Sequence, residues 1–316
     1  MNISSSRPSR PKVSICLLSY NHGHVIGGVI ESILAQSYPD YELIISDDCS
    51  EDNSFEVISG YAKKYSQIRA IKTPLNLGMG GNMNFSSHLA SGQYLAFLHH
   101  DDLVSPKLIE KWVEVAEKSD NIAFVFNDYL CNGEPAHAKE NRGFSQIMDG
   151  KVFLKKYLLN AWGCPVRGTA LVKKSYFIQV GGADLRFNLL SDVDLWMKLA
   201  SKWDVGYVNE PLIVPRHVRP ENYPKEYTEF TWTRVKMLFD IHANNIKREN
   251  FRGYFFYNFY RLKLRIKVSA EILKWFLYAI VRGRKGMVFT SLESDIEYEF
   301  YFVKIFKRIV LMLYGN

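Results

Sequence analysis

The chain has 316 residues, 47% hydrophobic and 23% charged, a balance that excludes a disordered or fibrous polypeptide and leaves room for one full-sized core plus an extension. Its four cysteines, Cys16, Cys49, Cys131 and Cys164, stand far apart with no C-x-x-C pair, which argues against a zinc site or a disulfide framework and for a reducing compartment. The net charge of +7 is uneven: residues 1–223 carry 23 basic against 24 acidic side chains, and residues 224–316 carry 17 against 9.

The polar start M-N-I-S-S-S-R-P-S-R-P-K has no apolar stretch of signal-peptide type, so it reads as a lead-in to the first strand of a cytoplasmic protein. The run Val13 to Ser19 predicts a buried strand, Tyr20 to Gly23 a turn, and the spacing of Val25, Ile26, Val29, Ile30, Ile33 and Leu34 a helix that ends before Pro39-Asp40. A second strand spans Tyr41 to Ser46 and ends at the acidic pair Asp47-Asp48. A helix over about Asp52 to Tyr65, a strand over Ile68 to Lys72, and a loop with a helix starting near Met79 follow. Gly78-Met79-Gly80-Gly81 lacks the glycine at position 83 that a dinucleotide-binding loop would need. Close packing of small residues and direct phosphate contact by these backbone amides remain as the two readings of the cluster.

The apolar run Tyr94 to Leu98 leads without a turn residue into His99-His100-Asp101-Asp102. In open α/β sheets ligands bind beyond the carboxyl ends of the strands, which is where these four side chains would sit. Adjacent carboxylates repel unless a cation or hydrogen-bond donors lie beside them. Oxygen ligands of this kind suit Mg²⁺ or Mn²⁺, and Mg²⁺ typically takes one or two carboxylates plus substrate phosphates. A solvated loop before a helix starting at Ser105-Pro106 is the other reading.

Further on, the pattern predicts a helix over about Pro106 to Lys118 and strands over Ile122 to Phe126, Gly168 to Lys173, Val205 to Val208 and Pro211 to Val214. Asn132 to Gly143 reads as a mobile loop. Ser191 is a candidate N-cap, with Asp192 and Asp194 in the first turn of its helix, where the dipole favours negative charge. Strands alternating with helices of about a dozen residues indicate right-handed βαβ crossovers and an α/β fold with a mainly parallel sheet. Beyond Tyr227 to Ile246, expected to be helical, aromatic and aliphatic residues mix with Arg261, Lys263, Arg265, Lys267 and Lys274. The run Trp275 to Val281 stops at Arg282, far short of the ~20 apolar residues of a membrane span. These helices either lie on an anionic membrane surface or pack on the catalytic domain or a second subunit, as in a homodimer.

Taken in order, V-S-I-C-L-L-S-Y-N from Val13, E-S-I-L-A-Q-S-Y-P-D-Y-E-L-I-I-S-D-D-C-S from Glu31, N-L-G from Asn76, A-S-G-Q-Y-L-A-F-L-H-H-D-D from Ala90 and S-D-V-D-L-W from Ser191 resemble the family 2 glycosyltransferases of the GT-A fold. The resemblance covers roughly residues 12–217. It implies a GT-A catalytic domain over residues 1–223, with a nucleotide-sugar half at about 12–103 and an acceptor half at about 104–223, followed by a helical extension over 224–316. It also implies inverting transfer of a sugar from a nucleotide-diphosphate donor, with UDP the commonest nucleotide, to an acceptor hydroxyl with Mn²⁺ or Mg²⁺ as cofactor. By matched position, Ser19, Tyr20 and Asn21 line the nucleotide pocket, and Asp47 accepts from the base, with Asp48 and Asn76 beside it. Asp101 and Asp102 serve ribose and metal-diphosphate, Asp102 as the direct ligand, and Asp192 is the general base. His217 resembles a histidine that some members use as a metal or phosphate contact, set against a surface histidine. Trp162, Arg167 and the 132–143 loop fall on the acceptor side.

Two departures stand out. His99 replaces an aspartate that many members place two positions before the pair, and Ser191 replaces the glutamate that usually precedes the base. The expected protein extends a lipid-linked, polyprenyl-diphosphate saccharide at the inner face of the membrane, as in surface polysaccharide or O-antigen assembly. A catalytically silent nucleotide-sugar-binding or scaffold protein on the same fold is the alternative. No motif supports nucleic-acid binding.

Overall fold

The computed structural model describes residues 11–131, 133–136, 143–159, 164–215 and 232–248, and eight positions between 262 and 274. The chain divides into two compact units, Met1–Asn222 and Tyr223–Asn316.

The first unit is built on a sheet whose centre is β1 (Val13–Ser19), buried along its whole length. It is flanked in parallel by β2 (Tyr41–Asp47) and β4 (Tyr94–His99), and β3 (Ile68–Lys72) pairs in parallel with the far side of β2. Successive side chains of a strand face opposite sides, and both sides are covered here. Ile15 and Leu17 join the cluster formed with Ile26, Val29, Ile30 and Ile33 of α1 (Gly23–Leu34), Ile58 of α2 (Ser54–Lys64) and Trp112 of α4 (Leu108–Ala116). On the other side α3 (Gly78–Leu89) packs on β1 and β2, and the Cys16 thiol meets Ser86; burial pushes that thiol up to about 12. This covering is why the central strands read as continuous apolar runs rather than alternating ones.

The order across the sheet is β3-β2-β1-β4-β9-β6-β10-β5. Here β5 is Asp102–Val104, β6 is Ile122–Cys131, β9 is Ala170–Lys173 and β10 is Asp204–Pro215. The short β7 (Glu134–Pro135) pairs with β6 and β8 (Ile147–Met148) with β10. Strand β9 runs antiparallel to both neighbours, so β6 regains the direction of β4 and is parallel to β10. The two strands expected at 205–208 and 211–214 are one bent strand, because register shifts at Val208/Pro211 and Pro211/Ile213 let it pass Pro211, a residue with no ladder N–H to give.

Helix α5 (Gly150–Phe153) continues as a π-helical turn over Leu154–Leu158. After α6 (Lys174–Gln179) and a 3₁₀ turn over Leu185–Leu190 comes α7 (Ser191–Ala200), whose ten residues are all buried. Trp196 packs on Phe124 with ring centroids 5.1 Å apart. In the second unit α8 (Trp232–Arg248) buries Ile241, His242, Ala243, Asn245 and Ile246. Among the described residues no helix is long and apolar enough to cross a membrane. Residues 216–231 and most of those beyond 248, including the larger part of the basic aromatic segments, lie outside the described residues.

Glu42 fastens the amino ends of the central strands. Its Oε1 accepts from Ser14 Oγ at 2.6 Å and from Ser91 N and Oγ at 2.7 Å each. Burial alone would raise this carboxyl, but the bonds from Ser14 and Ser91 outweigh it and hold the group below its ordinary value. A depressed carboxyl adds stability that is present above the unfolded-state value and is lost as pH falls through the folded one. Glu42→Gln should therefore lower the unfolding midpoint at neutral pH, and the gap to wild type should close on acidification; thermal melts from pH 7 to 3 measure it.

Candidate active site

The carboxyl ends of β1, β2, β4, β6 and β10 lie at one edge of the sheet, and the chemistry-bearing side chains gather there. The register sets Ser19 opposite Asp47 and Leu18 opposite His99. Two loops form the β1–β2 part of the edge and are locked together. Asn21, at φ 51, a left-handed conformation that asparagine tolerates, donates its N–H to Ser50 Oγ at 2.8 Å, and its Oδ1 accepts from Glu51 N at 2.9 Å. Asp47 is fully buried and accepts from Ser50 N at 2.9 Å and Ser50 Oγ at 2.6 Å. Its first task is to hold this turn, although each carboxylate oxygen has a second acceptor site.

Asp48 reaches the next loop, accepting from Leu77 N at 2.7 Å and Thr73 Oγ1 at 3.2 Å. Burial pushes its carboxyl up despite those bonds. Asn76 is exposed and closes its own turn by accepting from Gly78 N at 3.0 Å. Tyr20 is half-buried, and its carbonyl lies 2.6 Å from His22 Nδ1. The Ser19 hydroxyl, 1% exposed, has no hydrogen-bond partner among the described residues.

A histidine contact ties this region to the acidic strand end. His22 is held by Ser54 Oγ at its N–H, 2.8 Å away, and packs on His100 with ring centroids 3.6 Å apart. His100 Nδ1 lies 3.0 Å from the Leu18 carbonyl. Burial, with the His22 ring next, pushes His100 down to about 3, so it is neutral at physiological pH. Asp101 is half-buried in the turn after β4. Asp102 is 3% exposed and opens β5, so this stretch belongs to the sheet and is not a solvated loop; Thr169 Oγ1 lies 3.5 Å from its Oδ2.

Asp192 enters from the first turn of α7 and is buried; its Oδ2 accepts from Gly168 N at 3.1 Å. Gly168, at φ 33, passes so close that a Cβ on it would lie 2.3 Å from His99 Nε2 and 3.2 Å from Asp192 Oδ2. His99 and Asp192 thus face each other across the width of one backbone. Asp194, on the same helix, is fully buried and pairs with Lys198 Nζ at 3.2 Å, which also donates to the Gly182 carbonyl at 2.6 Å.

One local expectation changes. Ser191 is not an N-cap, because Leu190 holds that place and gives no side-chain bond; Ser191 is the first helical residue, its hydroxyl against Gly80. A Cβ at Gly80 would lie 2.6 Å from Ser191 Oγ, so this glycine of α3 serves close packing against α7. His217, Trp162 and most of the 132–143 loop lie outside the described residues. Pro215, two positions before His217, is the register partner of Asp102.

Among the described residues, no three histidine, cysteine or acidic side chains converge as a metal cage. The buried Asp102 carboxylate with Asp101 beside it instead fits a hard cation that completes its shell with diphosphate oxygens and water. The sequence reading missed Gly168, Thr169, Ser50 and the His22–His100 contact. Only the glycine just ahead of the Ala170 strand carried a local sign, that of a close backbone approach.

The glycosyl transferase family 2 model matches residues 14–181. The chain belongs to that family. EpsE of Bacillus subtilis, assigned provisionally as a glycosyltransferase, is 30% identical over 203 residues, 63% of this chain and 70% of its own length. TuaG of Bacillus subtilis, assigned provisionally as a teichuronic acid biosynthesis glycosyltransferase, is 29% identical over 212 residues, 64% of this chain and 78% of its own. Among solved structures, S. aureus TarS 1-349 in complex with UDP-GlcNAc superposes with a TM-score of 0.63 at 12% identity, covering 89% of this chain and 79% of that one. The mannosyltransferase PcManGT from Pyrobaculum calidifontis, in complex with GDP-Man and Mn²⁺, gives 0.53 at 14% identity over 98% and 89%. At these identities the superpositions speak for the fold, which is GT-A. For a family 2 glycosyltransferase the carboxyl edge described above is where a donor and an acceptor would meet.

Proposed function

We propose that this chain is an inverting glycosyltransferase that moves a sugar from a nucleotide diphosphate, UDP in the first instance, to a hydroxyl of a saccharide acceptor. The observation that carries the reading is the approach of Asp102 and Asp192 to a single turn: Thr169 lies against one and Gly168 bonds the other. The loops of Tyr20-Asn21 and Asp47 to Ser50 would enclose the nucleoside, with Ser19 Oγ as a buried hydroxyl for it to use. Asp192 would take the proton of the acceptor hydroxyl as its oxygen attacks the anomeric carbon, since that hydroxyl is a poor nucleophile near neutral pH. The Gly168 N–H on Oδ2 fixes the orientation of this carboxylate. A single base on the face opposite the leaving group gives inversion. A divalent cation held by Asp102 and Asp101, with His217 within two residues of Asp102's register partner, would neutralise the departing diphosphate.

The basic aromatic content of residues 224–316 supports placing the enzyme at an anionic membrane surface, the inner face of the cell membrane, where a polyprenyl-diphosphate-linked acceptor would be held for surface polysaccharide synthesis. The named role of TuaG in teichuronic acid biosynthesis supports the same class of product.

A donor screen tests the proposal. UDP- and GDP-sugars are offered with Mn²⁺, Mg²⁺ or EDTA, and thermal shift and release of nucleoside diphosphate are read. A matching donor at 100 times its Kd should stabilise the fold by about 2.7 kcal/mol. The stabilisation should need metal and nucleotide together, because among the described residues too few ligands converge for a tight metal site without the diphosphate. Stabilisation by neither nucleotide class, or full effect in EDTA, would overturn it. Sedimentation with anionic and with neutral vesicles tests the membrane part, which fails if the full chain ignores both.

A further inference from the structure

Arg167 sits at the junction of the two acidic groups. The next residue, Gly168, bonds Asp192, and the one after it, Thr169, approaches Asp102. The Arg167 guanidinium lies 4.8 Å from the centroid of the Tyr129 ring and is half-buried. Among the described residues it makes no ion pair with any carboxylate. A guanidinium stays charged at all relevant pH, and stacking on an aromatic face fixes its plane while leaving the N–H edge open for bidentate contact with a planar or tetrahedral anion. A cation so placed, oriented and left without a carboxylate beside a sugar-transfer centre has the form of a recognition group.

Its place in the sheet decides which substrate it reads. Tyr129 is near the carboxyl end of β6 and pairs with Ile213 of β10. The loops assigned to the nucleotide follow β1 and β2, and β4 and the antiparallel β9 lie between them and β6. Arg167 therefore stands on the side of the base, away from the nucleoside.

We infer that Arg167, stacked on Tyr129, binds an anionic group, phosphate or carboxylate, carried by the acceptor near its attacking hydroxyl. The inference rests on the glycosyltransferase reading and deepens it by naming a charge on the acceptor.

The test uses the full chain and three probes: glucose, glucose 1-phosphate and glucuronate, titrated by calorimetry or ligand-observed NMR with and without UDP and Mn²⁺. At least one anionic sugar should bind about ten- to a hundredfold more tightly than glucose, the range of a charge-assisted contact. Which of the two wins separates a phosphate-bearing acceptor from a uronate-bearing one. Arg167→Gln should erase the preference, Arg167→Lys should keep part of it, and Tyr129→Leu should weaken it while Tyr129→Phe does not. UDP affinity should be the same in every variant. Equal binding of the three sugars by wild type, a preference that survives Arg167→Gln, or a parallel loss of UDP binding would overturn the assignment. Failure of wild type to bind any nucleotide would instead strike the transferase reading, because the sugar titration without UDP judges Arg167 by itself.

Discussion

Asp192→Asn should abolish most sugar transfer, lowering kcat by about 10²- to 10⁴-fold, the range for removal of a positioned general base, while leaving UDP affinity unchanged. The amide keeps the size of the carboxylate, and its oxygen can still accept from Gly168 N, so the turn around Gly168 should stay in place. What is lost is the capacity to take a proton. Asp192→Glu makes the complementary test: the group survives, but one methylene displaces it from a position that the Gly168 backbone and His99 confine closely, and misplacement of about 1 Å can itself cost about 10²-fold. Steady-state transfer assays with nucleotide binding measured in parallel decide the matter. A variant that transfers normally would mean that Asp192 only fastens the loop.

The second large effect falls on stability. Asp194 and Lys198 form an ion pair one helical turn apart inside a helix that is buried on every side. Asp194→Ala removes one charge and leaves the other in the interior, a change that typically costs about 3–5 kcal/mol. Lys198 also holds the Gly182 carbonyl, and Asn84 bonds both the N–H and the carbonyl of Ala183, so the pair anchors α7 to the turn after α6 and, through it, to α3. Urea unfolding followed by tryptophan fluorescence should register the loss, since Trp196 lies in the same helix. The double change Asp194→Leu with Lys198→Met should recover much of it, because no charge is then left buried. A single variant as stable as wild type would show that the aspartate adds nothing beyond its surroundings.

The parallel centre of the fold was legible because strands buried on both faces must be apolar throughout: Val13 to Ser19 and Tyr94 to Leu98 announce themselves. The helices were legible from their spacing, α1 most of all. The other half of the sheet was less so. Strand β5 has three residues, one of them an aspartate, and no local pattern distinguishes it from loop. Strand β10 carries Pro211 in its interior with a register shift on either side of it, which breaks it into two pieces when read along the chain. Nothing in Ala170 to Lys173 reveals that it runs against its neighbours, because chain direction is a tertiary property. Asp47, Asp48, Asp101 and Asp102 were marked in the sequence by their place at strand ends, and Asp192 by the family resemblance. The residues that orient them were not: Gly168 acts through a backbone N–H, Ser50 through its placement in a turn, and His22 through contact with a ring 78 positions away. Such roles belong to the geometry and have no signature of residue type.

The reversed strand β9 separates two parts of the working edge. A strand that runs against its neighbours begins where they end, so the segment leading into it, with Arg167, Gly168 and Thr169, is delivered to the working edge from the opposite direction. The loops proposed for the nucleotide and the segment ahead of β9 are separate stretches of chain fixed to separate strands. Under the proposed function, a change in the segment ahead of β9 would alter the acceptor side and leave the loops proposed for the donor in place. One reversal in strand direction would then make acceptor choice separable from donor binding.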